Sequence, residues 1–307
     1  MKLSLIVYAM IGIPLSVHAA ADKSEPIWID TDTAARDVPH FNLVGEYVSI
    51  HEPGALQATL LPEGKFLVAT YQGGLPGAGW NQTPIVSQVM VPDELIACLR
   101  EFKKTLRVSP TMHKPSPEDA ILEFPEDFTN IKDGLLWAGA ETKTNLSSFQ
   151  MHLEFRVPLK PGRNPSSQAR GNSGIYIYNN YEVQVLDSFA LDLDAANNAI
   201  PPESENTQWC GALYKTKVPD LNLAFPPLTW QTYDIVFHAP RFEGEVKTRN
   251  ARITVHHNGV TIHDDVELKT GTGAGARRKQ VAQGPIVFQG HGNPVVYRNV
   301  WATALEE

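Results

Sequence analysis

Three polar residues at close spacing lie in the segment 171–188, which reads GNSGIYIYNNYEVQVLDS. Glu182, Gln184 and Asp187 follow an E-x-Q-x-x-D pattern, whose carboxyl groups suit general acid and base chemistry. Because side chains alternate along a strand, Glu182 and Gln184 share one face, and a β-bulge near Leu186 would bring Asp187 onto it. The pattern fits an acid/base array, and it also fits an ordinary solvated strand face.

A tight hairpin is needed to position this array. Residues 175–178 are β-branched and aromatic, and residues 181–186 alternate apolar with polar. Asn179 and Asn180 lie between them, and Asn tolerates the positive φ that tight turns require. The sequence therefore predicts two antiparallel strands joined at these two residues.

A second strand carries charge at alternate positions. Residues 150–157 read QMHLEFRV, so His152, Glu154 and Arg156 share one face. A solvent-facing sheet surface is one explanation. The recurrence of alternating charge at Glu182 favours the other, that both strands contribute to one polar concavity.

The remaining pattern indicates a mainly β protein. Short strands recur between turn signals in the second half of the chain, including an Asn258-Gly259 pair typical of a type I′ hairpin. Residues 45–71 also predict β structure, and residues 92–106 predict a helix. We therefore expect a β-sandwich or jelly roll preceded by a smaller β-rich region with one helix, with the boundary within 110–130.

Composition limits the possible partners of the protein, and the N-terminal segment predicts its location. The 307 residues include 26 Lys and Arg against 34 Asp and Glu, a net charge of −8, which disfavours nucleic acid as a partner. Residues 1–20 have the charged start, apolar run and small-residue cleavage site of a signal peptide, predicting a secreted or periplasmic protein. No later run is long enough for a membrane span after signal removal. Cys98 and Cys210 are expected to be unpaired.

The second region resembles the 3-keto-disaccharide hydrolase domain family across about 128–305. The segments that carry the resemblance are HLEFRVP (152–158), RGNSGIY (170–176), YEVQVLDS (181–188), CGALY (210–214), PPLTWQTYDI (226–235), ARITVHHNGV (251–260) and QGHGNPVVYRNVW (289–301). Segments GEYV (45–48), GGLPGAGW (73–80) and RVSPT (107–111) are similar to the region preceding the domain in planctomycete members.

The resemblance implies a concanavalin A-like jelly roll with sugar bound on its concave face. The domains would then be the signal peptide 1–20, the N-terminal β-rich region 21–125 and the jelly-roll domain 126–307. Family-16 glycoside hydrolases share this fold, and their catalytic strand reads E-x-D-x-x-E. Here Gln184 replaces the middle Asp and Asp187 replaces the last Glu, which puts a two-carboxylate retaining mechanism in doubt.

The family also implies a substrate with a ketone at C3 of the sugar. The ketone acidifies the C2 hydrogen, so a base can form an enolate, the C1 substituent leaves, and water addition completes a net hydrolysis. The candidate catalytic residues are Glu182 or His291 as the base, and Asp187 or Glu154 as the acid. The candidate substrate-binding residues are Arg156, Asn172 and Gln184 on the ketone side, Tyr176 and Tyr214 stacking on the sugar, and Arg298.

Two further questions stay open in the sequence. A divalent cation is a candidate cofactor in place of Arg156, although the spacing of Glu154, Glu182, Asp187 and His291 shows no recognised metal motif. The alternative functions are a conventional glycoside hydrolase that uses Glu182 and Asp187, and a non-catalytic carbohydrate-binding module.

Overall fold

The computed structural model describes residues 25–306, so the predicted signal peptide lies outside the described residues. An antiparallel sheet of five strands, in the order β4-β3-β2-β1-β5, forms the N-terminal region. Its strands are β1 (Gly45–Ser49), β2 (Gly54–Leu60), β3 (Phe66–Gln72), β4 (Val86–Met90) and β5 (Phe102–Thr105). No helix within residues 25–306 is long and apolar enough to cross a membrane.

The predicted helix over residues 92–106 is wrong beyond its first two turns. Helix α1 spans Thr31–Asp37, and helix α2 spans only Pro92–Cys98. A 3-10 turn over Leu99–Glu101 follows, and the chain then enters β5, where Phe102 pairs with Ser49 of β1. The edge of β1 needs backbone partners, so sheet pairing outweighs the local helical pattern. Of the apolar residues assigned to that helix, Leu95 is fully buried and Ile96 is 43% exposed.

The rest of the chain forms two further antiparallel sheets packed face to face. The larger has the order β17-β16-β13-β10-β19-β8-β7, with β6 also paired to β19, and the smaller has the order β12-β11-β18-β9. The strands are β6 (Leu122–Glu123), β7 (Ile131–Lys132), β8 (Leu135–Trp137), β9 (Ala140–Glu141), β10 (Phe149–Arg156), β11 (Ser173–Ile177), β12 (Tyr181–Val185), β13 (Gln231–His238), β14 (Arg241–Glu243), β15 (Val246–Arg249), β16 (Ala251–His257), β17 (Val260–Leu268), β18 (Ile286–Phe288) and β19 (Val296–Ala304). The pair β14 and β15 forms a separate small hairpin.

One apolar core fills the space between these two sheets. Leu153 and Phe155 of β10 meet Val183 and Val185 of β12 in a single buried cluster. Because alternate side chains point to opposite faces, the polar residues of both strands point away from this core. The predicted mainly β, jelly-roll class is confirmed.

Two hairpin turns can be compared with their predictions. Asn258 and Gly259 have φ of 50° and 78°, which confirms the type I′ turn between β16 and β17. In the hairpin of β11 and β12, the left-handed residues are Tyr178 and Asn179, both with φ of 58°. The turn therefore begins one residue before the predicted Asn179-Asn180 pair. Both cysteines are free, as predicted.

Candidate active site

Glu182 is a buried carboxyl group on the outer face of the smaller sheet. Its exposed fraction is 1%, and its Oε2 atom has no hydrogen-bond partner. Desolvation by burial raises the pKa of Glu182 to about 7, against a smaller lowering by the hydroxyl of Tyr176. Tyr176 is its direct neighbour on β11. A carboxyl group with this pKa can exchange a proton with a substrate near neutral pH.

Glu182 lines a cavity of about 610 Å³. This volume is in the range of sites that enclose a ligand of several rings. The lining residues are mostly polar. They are Asn172, Tyr176, Glu182, Tyr214, Lys215, Thr216, Thr270, Gly271, Gly273, Ala274, Ala276, Arg277, Gln289 and His291. Glu182 is the sole carboxylate in this lining, so the cavity supplies one acid/base group of that type.

Two loops cover the free edge of β12 and form the cavity walls. The backbone N–H of Glu182 donates to Thr272 Oγ1 at 2.7 Å, and its carbonyl accepts from the N–H of Tyr214 at 3.1 Å. Both walls are therefore anchored on the backbone of Glu182 itself. This pairing satisfies the groups that an edge strand would otherwise expose.

The wall that contains Thr272 is a glycine-rich loop, TGTGAGARR (270–278). A Cβ at Gly275 would overlap the carbonyl oxygen of Asn180, and one at Gly271 would lie 2.7 Å from the same atom. Only glycine lets the loop approach the hairpin turn this closely. The loop in turn brings Arg277 to the cavity.

Gly174 makes room for the carboxyl group of Glu182. It lies on β11, directly opposite Gln184. A Cβ at this position would overlap Glu182 Oε1 and lie 3.0 Å from its Cγ. Gly174 therefore fixes where the carboxyl group sits by leaving the space that it fills.

Gln184 holds the neighbouring part of the wall. Its Nε2 lies 3.3 Å from Asn172 Oδ1 and 3.2 Å from Gln168 Oε1, and Asn172 Nδ2 donates to the same Gln168 oxygen at 3.2 Å. Gln184 also reaches the carbonyl of Gln208, whose side chain donates to the hydroxyl of Tyr214 at 2.9 Å. The network orients Asn172 and Tyr214, both of which line the cavity.

A second cavity of about 460 Å³ adjoins the first. The two share Asn172, Tyr214 and His291 in their linings. His291 is exposed and lies on the loop between β18 and β19. Together the cavities form a cleft with room on both sides of these shared residues.

Of the ten predicted site residues, six come together here. They are Glu182, Gln184, Asn172, Tyr176, Tyr214 and His291. The other four lie elsewhere.

Asp187 is placed in the core rather than in the cleft. Its carboxylate forms a fully buried ion pair with Arg170, with Nε to Oδ2 at 2.6 Å. Arg170 also donates to the carbonyl of Leu60 and to Thr59 Oγ1, both at 3.0 Å, in β2 of the N-terminal sheet. The predicted β-bulge does not bring Asp187 beside Glu182, because this ion pair holds it against the N-terminal region instead.

Glu154 lies on the outer face of the larger sheet. Its carboxylate accepts from Arg298 Nε at 2.7 Å, from Asn299 at 3.0 Å and from the backbone of His113 at 2.6 Å. Burial acts to raise the pKa of Glu154, but the nearby His152 and these bonds outweigh it and lower the pKa to about 2. His152 Nδ1 lies 3.0 Å from Asp234 Oδ1.

Arg156 and Arg298 share that outer face. Their guanidinium groups lie 4.9 and 4.0 Å from the ring centroid of Trp230, which both stack against. The apolar core separates this face from Glu182. The predicted single polar concavity is therefore wrong, since the two polar strand faces lie on opposite sides of the sandwich.

The candidate divalent cation needs a set of ligands, which can be sought among the described residues. Among residues 25–306, no group of three or more His, Cys, Asp and Glu side chains is arranged to hold a metal ion. Glu154, Glu182, Asp187 and His291 are not brought together, so these four do not fit as a ligand set. The role of a divalent cation remains an untested prediction.

Lys215 and Arg277 line the cavity but were not identified from the sequence. The available signal was the density of glycine before Arg277 in a segment with no strand or helix pattern. For Lys215 the only local cue was its position directly after Tyr214. Neither cue shows which surface the residue reaches.

Comparison with known proteins agrees with this fold. The model of the 3-keto-alpha-glucoside-1,2-lyase-like domain matches residues 113–303. A proposed glycosyl hydrolase from Parabacteroides distasonis ATCC 8503 is 30% identical over 62% of this chain and 85% of its own, with a TM-score of 0.51. Two further structures of proposed glycosyl hydrolases from that organism are 17% and 16% identical over 59% of this chain, covering 84% and 94% of their own, with TM-scores of 0.40 and 0.39.

The search of curated proteins gives no match to this chain. The family match covers more than half of the sequence and includes every strand from β6 to β18. It confirms the resemblance to the 3-keto-disaccharide hydrolase domain family. The chain belongs to the family defined by the 3-keto-alpha-glucoside-1,2-lyase-like domain.

Proposed function

We propose that this protein is a carbohydrate-active enzyme that cleaves 3-keto-glycosides, with Glu182 as the base that removes the C2 proton. The observation that carries the proposal is a buried carboxyl group with a pKa of about 7 in a large polar cavity. The family match and the 30% identical neighbour support a carbohydrate-active enzyme. A substrate with a ketone at C3 is the chemistry that the family suggests.

The arrangement of carboxyl groups favours elimination over conventional glycoside hydrolysis. Retaining and inverting hydrolases need two carboxyl groups on either side of the scissile bond. Asp187, the partner that a conventional mechanism would use with Glu182, is buried and paired with Arg170. Elimination next to a ketone requires one base and no nucleophile, which a single carboxyl group in the cavity can supply.

In the proposed reaction, Glu182 takes the proton from C2 and the electron pair of that bond moves into an enolate on the C3 oxygen. Asn172 and His291 line the same cavity and supply hydrogen bonds to that oxygen. Reformation of the ketone creates a C1–C2 double bond and breaks the bond from C1 to its substituent. The leaving oxygen takes a proton from Glu182 or His291, and water addition to the double bond completes the hydrolysis.

We place the reaction outside the cytoplasm on the strength of the predicted signal peptide.

The test compares p-nitrophenyl glucoside with the same compound oxidised at C3. Wild type should release nitrophenol only from the ketone, and Glu182→Gln should lower kcat/KM by about 10²–10⁴-fold, the usual contribution of a general base. Glu141→Gln, an exposed residue on β9 of the same sheet, is the matched control. The same assay with a metal chelator tests whether the activity requires a divalent cation.

Cleavage of the unoxidised glucoside would favour the conventional hydrolase instead. Inactivity on both compounds, with sugar binding that survives Glu182→Gln, would favour a binding module. Undiminished activity of Glu182→Gln on the ketone would exclude Glu182 as the base.

A further inference from the structure

Two cations at the mouth of the cavity have no task in the proposed elimination. Lys215 and Arg277 both line the larger cavity, and both are exposed. Within residues 25–306 neither forms an ion pair with a carboxylate, whereas Arg163 at the adjoining cavity pairs with Glu25 at 2.6 Å. Their charges are therefore available to a ligand.

The sign of charge in the cleft is opposite to that of the whole chain. The net charge of the protein is −8. The two cavities are nevertheless lined by four Lys and Arg residues, of which Arg163 is paired with Glu25, and by one carboxyl group, that of Glu182. Because burial raises the pKa of Glu182 to about 7, this group carries only part of a negative charge at neutral pH. A cleft with cationic walls in an acidic protein attracts anions and repels cations.

Backbone hydrogen bonds anchor the two loops that carry Lys215 and Arg277. Lys215 has φ of 54°, and its N–H donates to the carbonyl of Thr207 at 2.9 Å. Arg277 ends a 3-10 turn that follows Thr272, whose N–H donates to the carbonyl of Asn180 at 2.8 Å. Both loops are also bonded to the backbone of Glu182, so the backbone of Lys215 and Arg277 is held beside the proposed base while their exposed side chains reach the cavity.

We infer that the cleft selects 3-keto-glycosides that carry an anionic group away from the reacting carbons. The inference rests on the proposed function and specifies its substrate class. An exocyclic carboxylate or a sulfate ester presents the same feature, oxygen atoms that share a negative charge, and Arg277 can donate to it with two N–H groups. Lys215 supplies a second point charge at the same rim.

The experiment measures discrimination between matched substrates. Three 3-keto-glucosides are compared, in which the leaving sugar is neutral glucose, glucuronic acid or glucose sulfate. Wild type should show a higher kcat/KM for the acidic substrates, and the preference should shrink as salt is raised. The carboxylate and sulfate arms identify which anion is preferred.

The variants are Lys215→Gln, Arg277→Gln and both together. Each single change should lower the preference by roughly tenfold, the equivalent of one charge-assisted hydrogen bond, and the loss should appear in KM. Arg100→Gln, an exposed cation on the N-terminal region, removes the same charge away from the cleft and should leave the preference unchanged.

Two outcomes would overturn the inference. One is equal kcat/KM for neutral and acidic substrates in wild type. The other is a fall in kcat by the same factor on all three substrates in the variants, which would assign the cations to the enolate. If no ketone substrate reacts, the proposed function fails separately, and calorimetric binding of cellobiose against its acidic counterpart still decides the preference. Equal affinity for both sugars in that measurement would also refute it.

Discussion

Replacing Glu182 by Gln should remove a loss of stability that the wild type suffers at neutral and alkaline pH, while it lowers activity. Burial raises the pKa of this carboxyl group from 4.5 to about 7. The folded state therefore binds more protons than the unfolded state between these values, and stability falls as pH rises through them. A shift of this size corresponds to about 3 kcal/mol, because one pKa unit is about 1.4 kcal/mol. The side chain of Gln cannot ionise, so the Glu182→Gln variant should not lose this free energy of unfolding as pH rises.

Urea denaturation of wild type and Glu182→Gln at pH 4.5 and pH 8 measures the effect. The relevant quantity is the difference in unfolding free energy between the two proteins at pH 8, minus the same difference at pH 4.5. A constant cost of placing an amide in the site is present at both pH values and cancels. Glu141→Gln controls for the same substitution at an exposed position.

The expected result is a relative gain of about 3 kcal/mol for Glu182→Gln at pH 8. Parallel pH dependence in wild type and variant would refute the reasoning. It would show that the carboxyl group ionises in the folded protein as easily as in the unfolded chain. Glu182 would then lose the physical basis for its assignment as a base near neutral pH.

Three further changes test the surroundings of Glu182, the ion pair beyond its strand and the polar face of the opposite sheet. Gly174→Ala puts a Cβ against the proposed base, so kcat/KM should fall roughly tenfold or more, while Gly54→Ala, whose Cβ meets nothing closer than 3.4 Å, should leave it unchanged. Asp187→Asn leaves Arg170 buried without its carboxylate, and urea denaturation should show a loss of roughly 3–5 kcal/mol, with a loss below about 1 kcal/mol contradicting the structural role. Burial lowers the pKa of His152 but its two neighbouring carboxylates raise it above 6.5 overall, so its stabilisation should be present below that pH and lost as pH rises through the folded-state value. His152→Asn should accordingly cost more stability at pH 6 than at pH 9, and equal cost at both would contradict the charged state.

Local sequence pattern was sufficient to predict the hairpin that carries Glu182 and the face that this residue occupies. Alternation shows only that a polar side chain lies opposite the apolar residues of its own strand. In a two-layer sandwich there are two such outward faces, and alternation does not distinguish them. Glu154 and Glu182 satisfy the same pattern on opposite faces, which is why the sequence suggested one concavity where the structure has two surfaces.

The positions of residues that are held by distant partners could not be predicted from local sequence pattern either. The position of Asp187 depends on its ion pair with Arg170, and Arg170 is held in turn by the carbonyl of Leu60 and the hydroxyl of Thr59 in β2, more than a hundred residues away. The strand of Phe102 likewise depends on the unpaired edge of β1. Local propensity is outweighed in both places by groups that the fold brings together from distant parts of the chain.

The cavity is made entirely from the second half of the chain, but the N-terminal region supports the strand that carries Glu182. No described residue before Lys160 lines either part of the cleft. The N-terminal region contacts the end of this strand through Arg170, which joins Leu60 to Asp187 two residues beyond the end of β12, and through Leu61 and Leu67, which share a buried cluster with Leu186. Without that sheet, Arg170 would lose two of its acceptors, and the ion pair that fixes the end of β12 would face solvent. We therefore infer that the N-terminal region braces the strand of Glu182 and does not act as a lid over its cavity.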